Sequence, residues 1–390
     1  MIAERIDNIT LSGTMEIAAK AIELQNNGID IINLSVGEPD LPTPQHIKEA
    51  AIKAIQNNQT KYTINTGLVE LKDAIRQKFR NDYNAKYSRD EIIVSTGAKQ
   101  ALYNAIQTII SPEDEVIIPA PYYVSYIDMV KLAGGTPVIV NTKMENKFKL
   151  TASEFKKNIS SKTKAILFCN PSNPTGSVFT KDELQSIVEV ALKNNLTIIS
   201  DEIYEKLIYG TASFTGVASL GAEITNSSII INGVSKAYSM TGWRIGYACA
   251  PKKIVNGMGK LQSHSTSNAC TISQHAAIVA LNGSQTCVEE QRKIFEERRD
   301  FLVKELSKIQ NISFNIPNGA FYFFINIEKL IISSKSIKTS RDFCLKLLNE
   351  SHVATVPGSA FGIEKYLRIS YSRSMKELEI AMKRLKDFLG

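Results

Sequence analysis

The sequence predicts an α/β protein built on a mostly parallel sheet covered by helices on both faces, with a smaller α+β region attached. Two observations carry this. From about residue 90, short apolar, β-branched runs alternate with helical patterns. After about residue 285 the alternation gives way to a long charged helix over 289–306, short strands near 320–325 and 367–371, and a terminal helix. The apolar runs fall at 91–94, 115–118, 164–169, 197–200 and 228–231, each of a length suited to a buried strand. The helices between them are marked by capping boxes, in which a Thr hydroxyl and a Glu three residues on each satisfy the other's free backbone N–H. Thr151 with Glu154 and Thr180 with Glu183 are such pairs, and Leu184, Ile187, Val188, Ala191 and Leu192 follow the second at helical spacing. Ser374 and Glu377 open the last helix, whose apolar stripe is Leu378, Met382, Leu385 and Leu389.

At 390 residues the chain exceeds one ordinary core of about 100–200 residues. No repeat, low-complexity tract or Pro/Gly/Ser linker divides it, so its domains are expected to interleave. Composition excludes several classes. A 43% hydrophobic and 22% charged chain is that of a folded protein. Forty-six basic against 39 acidic residues leave +7, but the basic residues are dispersed, which points away from nucleic acid and towards small anions. No apolar stretch is long enough to span a bilayer. The five cysteines are widely spaced with no Cys-x-x-Cys, so neither a disulfide framework nor a metal site is indicated, and a reducing cytoplasm is the simplest setting.

The unusual residues fall just past the carboxyl ends of predicted strands, where open α/β sheets bind ligands. After 91–94 comes Ser95-Thr96-Gly97-Ala98-Lys99 opening a helix, a small-residue turn whose free N–H groups suit a phosphate, although a lone Gly before a helix is more often only a turn. After 115–118 comes Pro119-Ala120-Pro121-Tyr122-Tyr123, a stiff turn holding an aromatic pair. After 164–169 comes Asn170-Pro171-Ser172-Asn173-Pro174-Thr175-Gly176, where two prolines fix the backbone that aims Asn173. Asp201-Glu202-Ile203-Tyr204 places a carboxylate at the mouth of a buried strand, where charge is costly unless paired; a helix cap is the plainer alternative. The segment from Ser235 to Arg244 is the most specific, with the only tryptophan, Trp243, and Lys236 and Arg244 eight residues apart. A lysine at a buried strand end can be desolvated, and a depression of ~3 pKa units, about 4 kcal/mol, makes it a usable nucleophile. Most lysines are merely solvated; the combination of amine, carboxylate, arginine, phosphate turn and stacking aromatic is the set of parts that pyridoxal phosphate needs.

On these residues, with Ser35-Val36-Gly37-Glu38-Pro39-Asp40 and Tyr366-Leu367-Arg368-Ile369-Ser370, the chain resembles the class I aminotransferases of the fold-type I pyridoxal-phosphate enzymes over essentially its whole length. It looks most like the bacterial branch of aspartate and aspartate/prephenate aminotransferases. The resemblance implies the PLP-transferase fold, with an N-terminal arm and part of the small domain over 1–44, a large cofactor-binding domain over 45–285 and a C-terminal small domain over 286–390, the small domain drawing on both chain ends. It makes Lys236 the Schiff-base lysine and proton shuttle, Asp201 the partner of the ring nitrogen, and Tyr204 and Asn173 the partners of the phenolic oxygen. Arg244 with Gly97, Ala98 and Lys99 would hold the phosphate, Tyr123 would stack on the ring, and Tyr62 would reach the phosphate of a neighbouring subunit in a homodimer with shared sites. Arg368 would clamp the substrate α-carboxylate beside the Gly37 backbone, with Asn173 and Tyr123 also facing substrate.

The implied reaction is ping-pong transfer of an amino group from an L-amino acid, aspartate first, to 2-oxoglutarate. Alternatives are prephenate or aromatic specificity, a β-lyase on the same cofactor, and a non-catalytic binding protein. Three departures from the family bear on specificity. Tyr123 stands where close relatives commonly have Trp, and an aromatic face is kept. Thr10-Leu11-Ser12 stands where prephenate users carry Lys-Pro-Ser, which argues against prephenate. His264-Ser265-Thr266-Ser267-Asn268 offers no arginine for a distal carboxylate, leaving Lys99 as the substitute. A nicotinamide dehydrogenase is set aside, since Gly257-Met258-Gly259 neither follows a strand nor completes the phosphate fingerprint.

Overall fold

A computed structural model describes residues 2–9 and 13–389. Its centre is a seven-stranded sheet in the order Ile92–Ser95, Gly246–Cys249, Ser228–Gly233, Thr197–Asp201, Thr163–Cys169, Glu115–Ala120, Thr136–Asn141. Gly246–Cys249 runs antiparallel to both neighbours and every other pair is parallel. All five expected strands are present. The two that periodicity missed have physical reasons: Thr136–Asn141 is a largely solvated edge that contains Pro137, and Gly246–Cys249 is four residues long with no β-branched side chain.

Strand alternation sorts the side chains into two cores. Ile92, Val94, Ile117, Ile166, Phe168, Ile198 and Ile230 point to one face; Ile93, Val116, Ile118, Leu167, Ile199, Ile229 and Ile231 point to the other. Asp201 is two residues beyond Ile199 and pairs in register with Cys169, so it faces the second layer. Both middle capping boxes form as expected: Thr180 accepts from Glu183 N–H at 3.3 Å while Glu183 accepts from Thr180 N–H at 2.8 Å, and Leu184, Ile187, Val188 and Ala191 of Lys181–Lys193 are buried.

A third core joins the two ends of the chain. A four-stranded antiparallel sheet, ordered Val356–Pro357, Tyr366–Ser370, Tyr322–Asn326, Ser313–Phe314, packs with Ile17, Ile32, Leu34, Phe295, Leu378 and Leu385. Ile32–Asn33 pairs with Val353–Ala354, and Ser370 N–H donates to Leu34 O at 2.8 Å. This pairing carries the segment from Ser35 to Asp40 across the carboxyl edge of the large sheet. The helix Thr286–Leu306 bridges the cores, with Val288 in the large-sheet cluster and Phe295, Leu302 and Leu306 in the third. No helix among the described residues is long and apolar enough to cross a membrane.

Candidate active site

The carboxyl ends of the central strands and the Ser35–Gly37 segment enclose a cavity of about 510 Å³. Lys236, three residues past the end of Ser228–Gly233, lines it. Its amine donates to the Gly37 carbonyl at 2.6 Å and lies 5.9 Å from the ring centres of both Tyr204 and Phe321. Burial, aided by the Arg244 and Arg368 charges and opposed by Glu38 and Asp201, brings its pKa down to about 8. The amine is therefore available as a neutral group far below the ordinary lysine range.

Asp201, only 7% exposed, accepts from Tyr126 Oη at 2.9 Å and from Ile203 N–H at 3.3 Å. Burial raises its pKa to about 6 despite these two donors. Among the described residues it forms no ion pair, and its charge is met only by these two hydrogen bonds and the more distant Lys236 amine. Tyr204, which also lines the cavity, is buried with its hydroxyl 2.8 Å from that of Tyr322.

Alternation along Tyr366–Ser370 buries Leu367 and Ile369 in the third core and turns Arg368 to the cavity. Arg368 is 4% exposed. Its Nη1 donates to Asn173 Oδ1 at 3.1 Å and its Nη2 to Ser35 O at 2.5 Å, while Nε has no partner. The guanidinium lies over the rings of Tyr322 and Phe361, at 4.5 and 5.0 Å. No carboxylate among the described residues pairs with it. A buried guanidinium without an anion is costly, and an anion entering the cavity would relieve that cost.

At the other end of the cavity, Ala98 and Lys99 open the helix Ala98–Ile109. Gly97, at φ +86, packs so closely on the Arg244 guanidinium that a Cβ would run into it. Arg244 Nη1 donates to Thr241 O at 2.8 Å and Nη2 to Thr96 O at 3.4 Å, which leaves its remaining N–H groups for an anion at the helix start. Gly97→Ala adds both a strained φ and this collision, so it is expected to cost ~1–3 kcal/mol, read as a lowered midpoint in denaturant unfolding. Lys99 Nζ sits 5.5 Å from the Tyr123 ring centre, and Tyr123 meets Tyr126 edge-on at 5.5 Å.

The cavity thus suits a planar aromatic ligand with an anionic group at the helix start, a cationic edge at Asp201 and an electrophilic carbon in reach of Lys236. Arg368 offers a second anion site. Ten of the expected residues line it: Gly37, Ala98, Lys99, Tyr123, Asn173, Asp201, Tyr204, Lys236, Arg244 and Arg368. Gly97 stands behind Arg244. Tyr62 does not reach the cavity of its own chain; it is 92% exposed and lines a separate surface depression with Asn268 and Cys270. Thr10-Leu11-Ser12 lies outside the described residues. Sequence reasoning missed Tyr126, Tyr322, Cys169, Ser235 and Thr241; of these only Tyr126 had a usable signal, standing one helical turn after Tyr123.

The fold and this cleft define an α/β enzyme scaffold with an amine-bearing ligand site. Residues 29–385 match the profile of aminotransferase class I and II. The chain is 47% identical to an aspartate aminotransferase of Bacillus sp. (strain YM-2), over 100% of this chain and 99% of that protein. It is 45% identical to a probable aspartate/prephenate aminotransferase of Rickettsia felis, over 100% and 97%. The solved aspartate aminotransferase from Thermus thermophilus with maleate superposes with a TM-score of 0.94 at 36% identity, covering 100% of both chains. The chain belongs to the class I and II aminotransferases.

Proposed function

We propose that this chain is a pyridoxal-phosphate-dependent aspartate:2-oxoglutarate aminotransferase. The observation that carries the reading is the joint presence, in one cavity, of a buried carboxylate without a cation, a buried guanidinium without an anion and a lysine amine of lowered pKa. When bound, the cofactor supplies an aldehyde for the amine and a cationic ring that draws electrons from the substrate carbon. Asp201 would hold the ring nitrogen, Tyr204 and Asn173 the phenolic oxygen, and Arg244 with the Gly97–Lys99 turn the phosphate, while Tyr123 offers its face to the ring.

Arg368 binds the α-carboxylate, already oriented by Asn173 and Ser35 O. Lys236 then takes and returns the Cα proton, which a neutral amine can do near pH 8. Aspartate as donor is supported by the names of the similar proteins and by Lys99, whose amine beside Tyr123 can meet a distal carboxylate. Prephenate use has no support from the chain. Tyr62, exposed beside Asn268, would complete the site of a second subunit in a homodimer. The division into an N-terminal arm and part of the small domain over 1–44, a large domain over 45–285 and a C-terminal small domain over 286–390 is supported by the core that joins Ile17–Leu34 to the C-terminal strands and helices. The free cysteines are compatible with a cytoplasmic setting.

The test is spectral. Protein loaded with pyridoxal phosphate is expected to show a visible band that shifts on adding aspartate and returns on adding 2-oxoglutarate. An unchanged spectrum refutes the reading, and pyruvate and ammonia release independent of any oxo acid would replace it with a lyase.

A further inference from the structure

One face of the helix Thr286–Leu306 reaches the reacting lysine by three routes. Gln291 and Arg298 are seven residues apart, two helical turns, and so share a face with Phe295 between them. All three side chains are buried. Gln291 Nε2 donates to the backbone carbonyl of Lys236 itself at 2.6 Å, and Gln291 Oε1 accepts from Ser239 Oγ at 2.5 Å. Ser239 thereby fixes which end of the amide faces Lys236, since the flipped amide would set oxygen against oxygen. Ser239 also holds a left-handed backbone, φ +51, in the turn that returns the chain from Lys236 to Arg244.

Arg298 works from the opposite side. It grips Asp40 with two bonds of 2.6 and 2.9 Å, anchoring the segment whose Gly37 carbonyl receives the Lys236 amine. Phe295 packs at 5.3 Å against Phe321, one of the two rings flanking that amine. A helix belonging to the third core therefore fixes both the main chain of Lys236 and the acceptor of its side chain.

We propose that Gln291, supported by Arg298, is a positioning residue for Lys236, holding the lysine main chain so that its amine stays in the dry end of the cavity. The inference rests on the reading of Lys236 as the reacting amine. The charged groups facing that amine are Glu38, Asp201, Arg244 and Arg368, and none belongs to the helix. The effect of Gln291 is thus one of placement and desolvation, not of direct charge.

The experiment is competitive acetic-anhydride labelling of the full-length chain freed of cofactor, with the Lys236 peptide quantified by mass spectrometry across pH. Wild type is expected to titrate near 8. In Gln291→Met, which keeps the volume and removes both bonds, the midpoint is expected to rise by about one unit, so labelling at pH 8 falls about fivefold. Ser239→Ala, which frees the amide without emptying space, should shift the midpoint the same way by less, and it carries the test if Gln291→Met does not fold. A purely structural role would lower the unfolding midpoint and leave the labelling profile in place. That result, in a folded variant with a wild type titrating near 8, overturns the positioning role alone. A wild-type midpoint in the ordinary lysine range overturns the reading of the site and this inference with it.

Discussion

Lys236→Ala is expected to lose amino-group transfer by at least about 10⁴-fold while remaining folded. Positioned acid–base catalysis alone contributes about 10²–10⁴-fold, and this one amine is also the nucleophile in reach of a ligand in the cavity. Among the described residues, Lys99 beside Tyr123 is the one other lysine lining the cavity. Removing an amine whose charge is disfavoured by burial relieves a cost in the folded state, so the variant should unfold no earlier than wild type. Borohydride treatment of the cofactor-loaded proteins discriminates cleanly. Wild type should retain the label on the peptide bearing Lys236; the variant should lose it on dialysis. A label fixed on another lysine would remove the assignment.

Asp201→Asn should separate activity from stability. A buried cation deprived of its partner costs about 3–5 kcal/mol, so kcat/KM should fall roughly a hundredfold to several thousandfold if a protonated ring nitrogen sits against this carboxylate. Without cofactor the same substitution should stabilise the chain. The folded carboxyl titrates at about 6, above its ordinary 3.8. Between those values the folded protein keeps a proton that the unfolded chain has released, so stability falls as pH rises through this window. Above pH 6 the whole penalty is present, roughly two pKa units or about 3 kcal/mol; below about pH 4 it is gone. Asn carries no charge, so cofactor-free Asp201→Asn should exceed wild type by about 1–3 kcal/mol at pH 8 and match it at pH 4. Denaturant unfolding at the two pH values checks this, and a variant less stable at pH 8 would show that Asp201 is compensated within the protein. Stability given up at a reacting centre is a common pattern of functional sites.

Those two residues were legible because Asp201 stands where an apolar run stops abruptly and Lys236 lies in the turn just past another. Asn173 was legible through its flanking prolines. Other parts of the site carry no such mark. Tyr322 sits within Ala320-Phe321-Tyr322-Phe323-Phe324, where an aromatic reads as core, and its hydroxyl contact with Tyr204 arises only when the antiparallel sheet docks against the large one. Gln291 and Arg298 lie on a helix crowded with charges, in which burial of two polar positions is decided by what packs against them. Gly37 contributes a backbone oxygen, which side-chain reasoning cannot detect; only the resemblance pointed to it. Tyr62 was a candidate only through the resemblance, and its own chain leaves it in solvent.

The pairing of Ile32–Asn33 with Val353–Ala354 has a consequence for how the enzyme is made. Arg368 bonds to Ser35 across 333 positions of sequence, and the amine of Lys236 bonds to Gly37 across 199. During synthesis residues 32–35 emerge long before the strands at 353–354 and 366–370 that will pair with them, so those pairings are among the last to form. The central sheet can form meanwhile from neighbouring βαβ units. The substrate-facing Arg368 and its contact with Ser35 can form only when the C-terminal strands leave the exit tunnel, so a nascent chain stalled before residue 353 should be folded in its middle and inert.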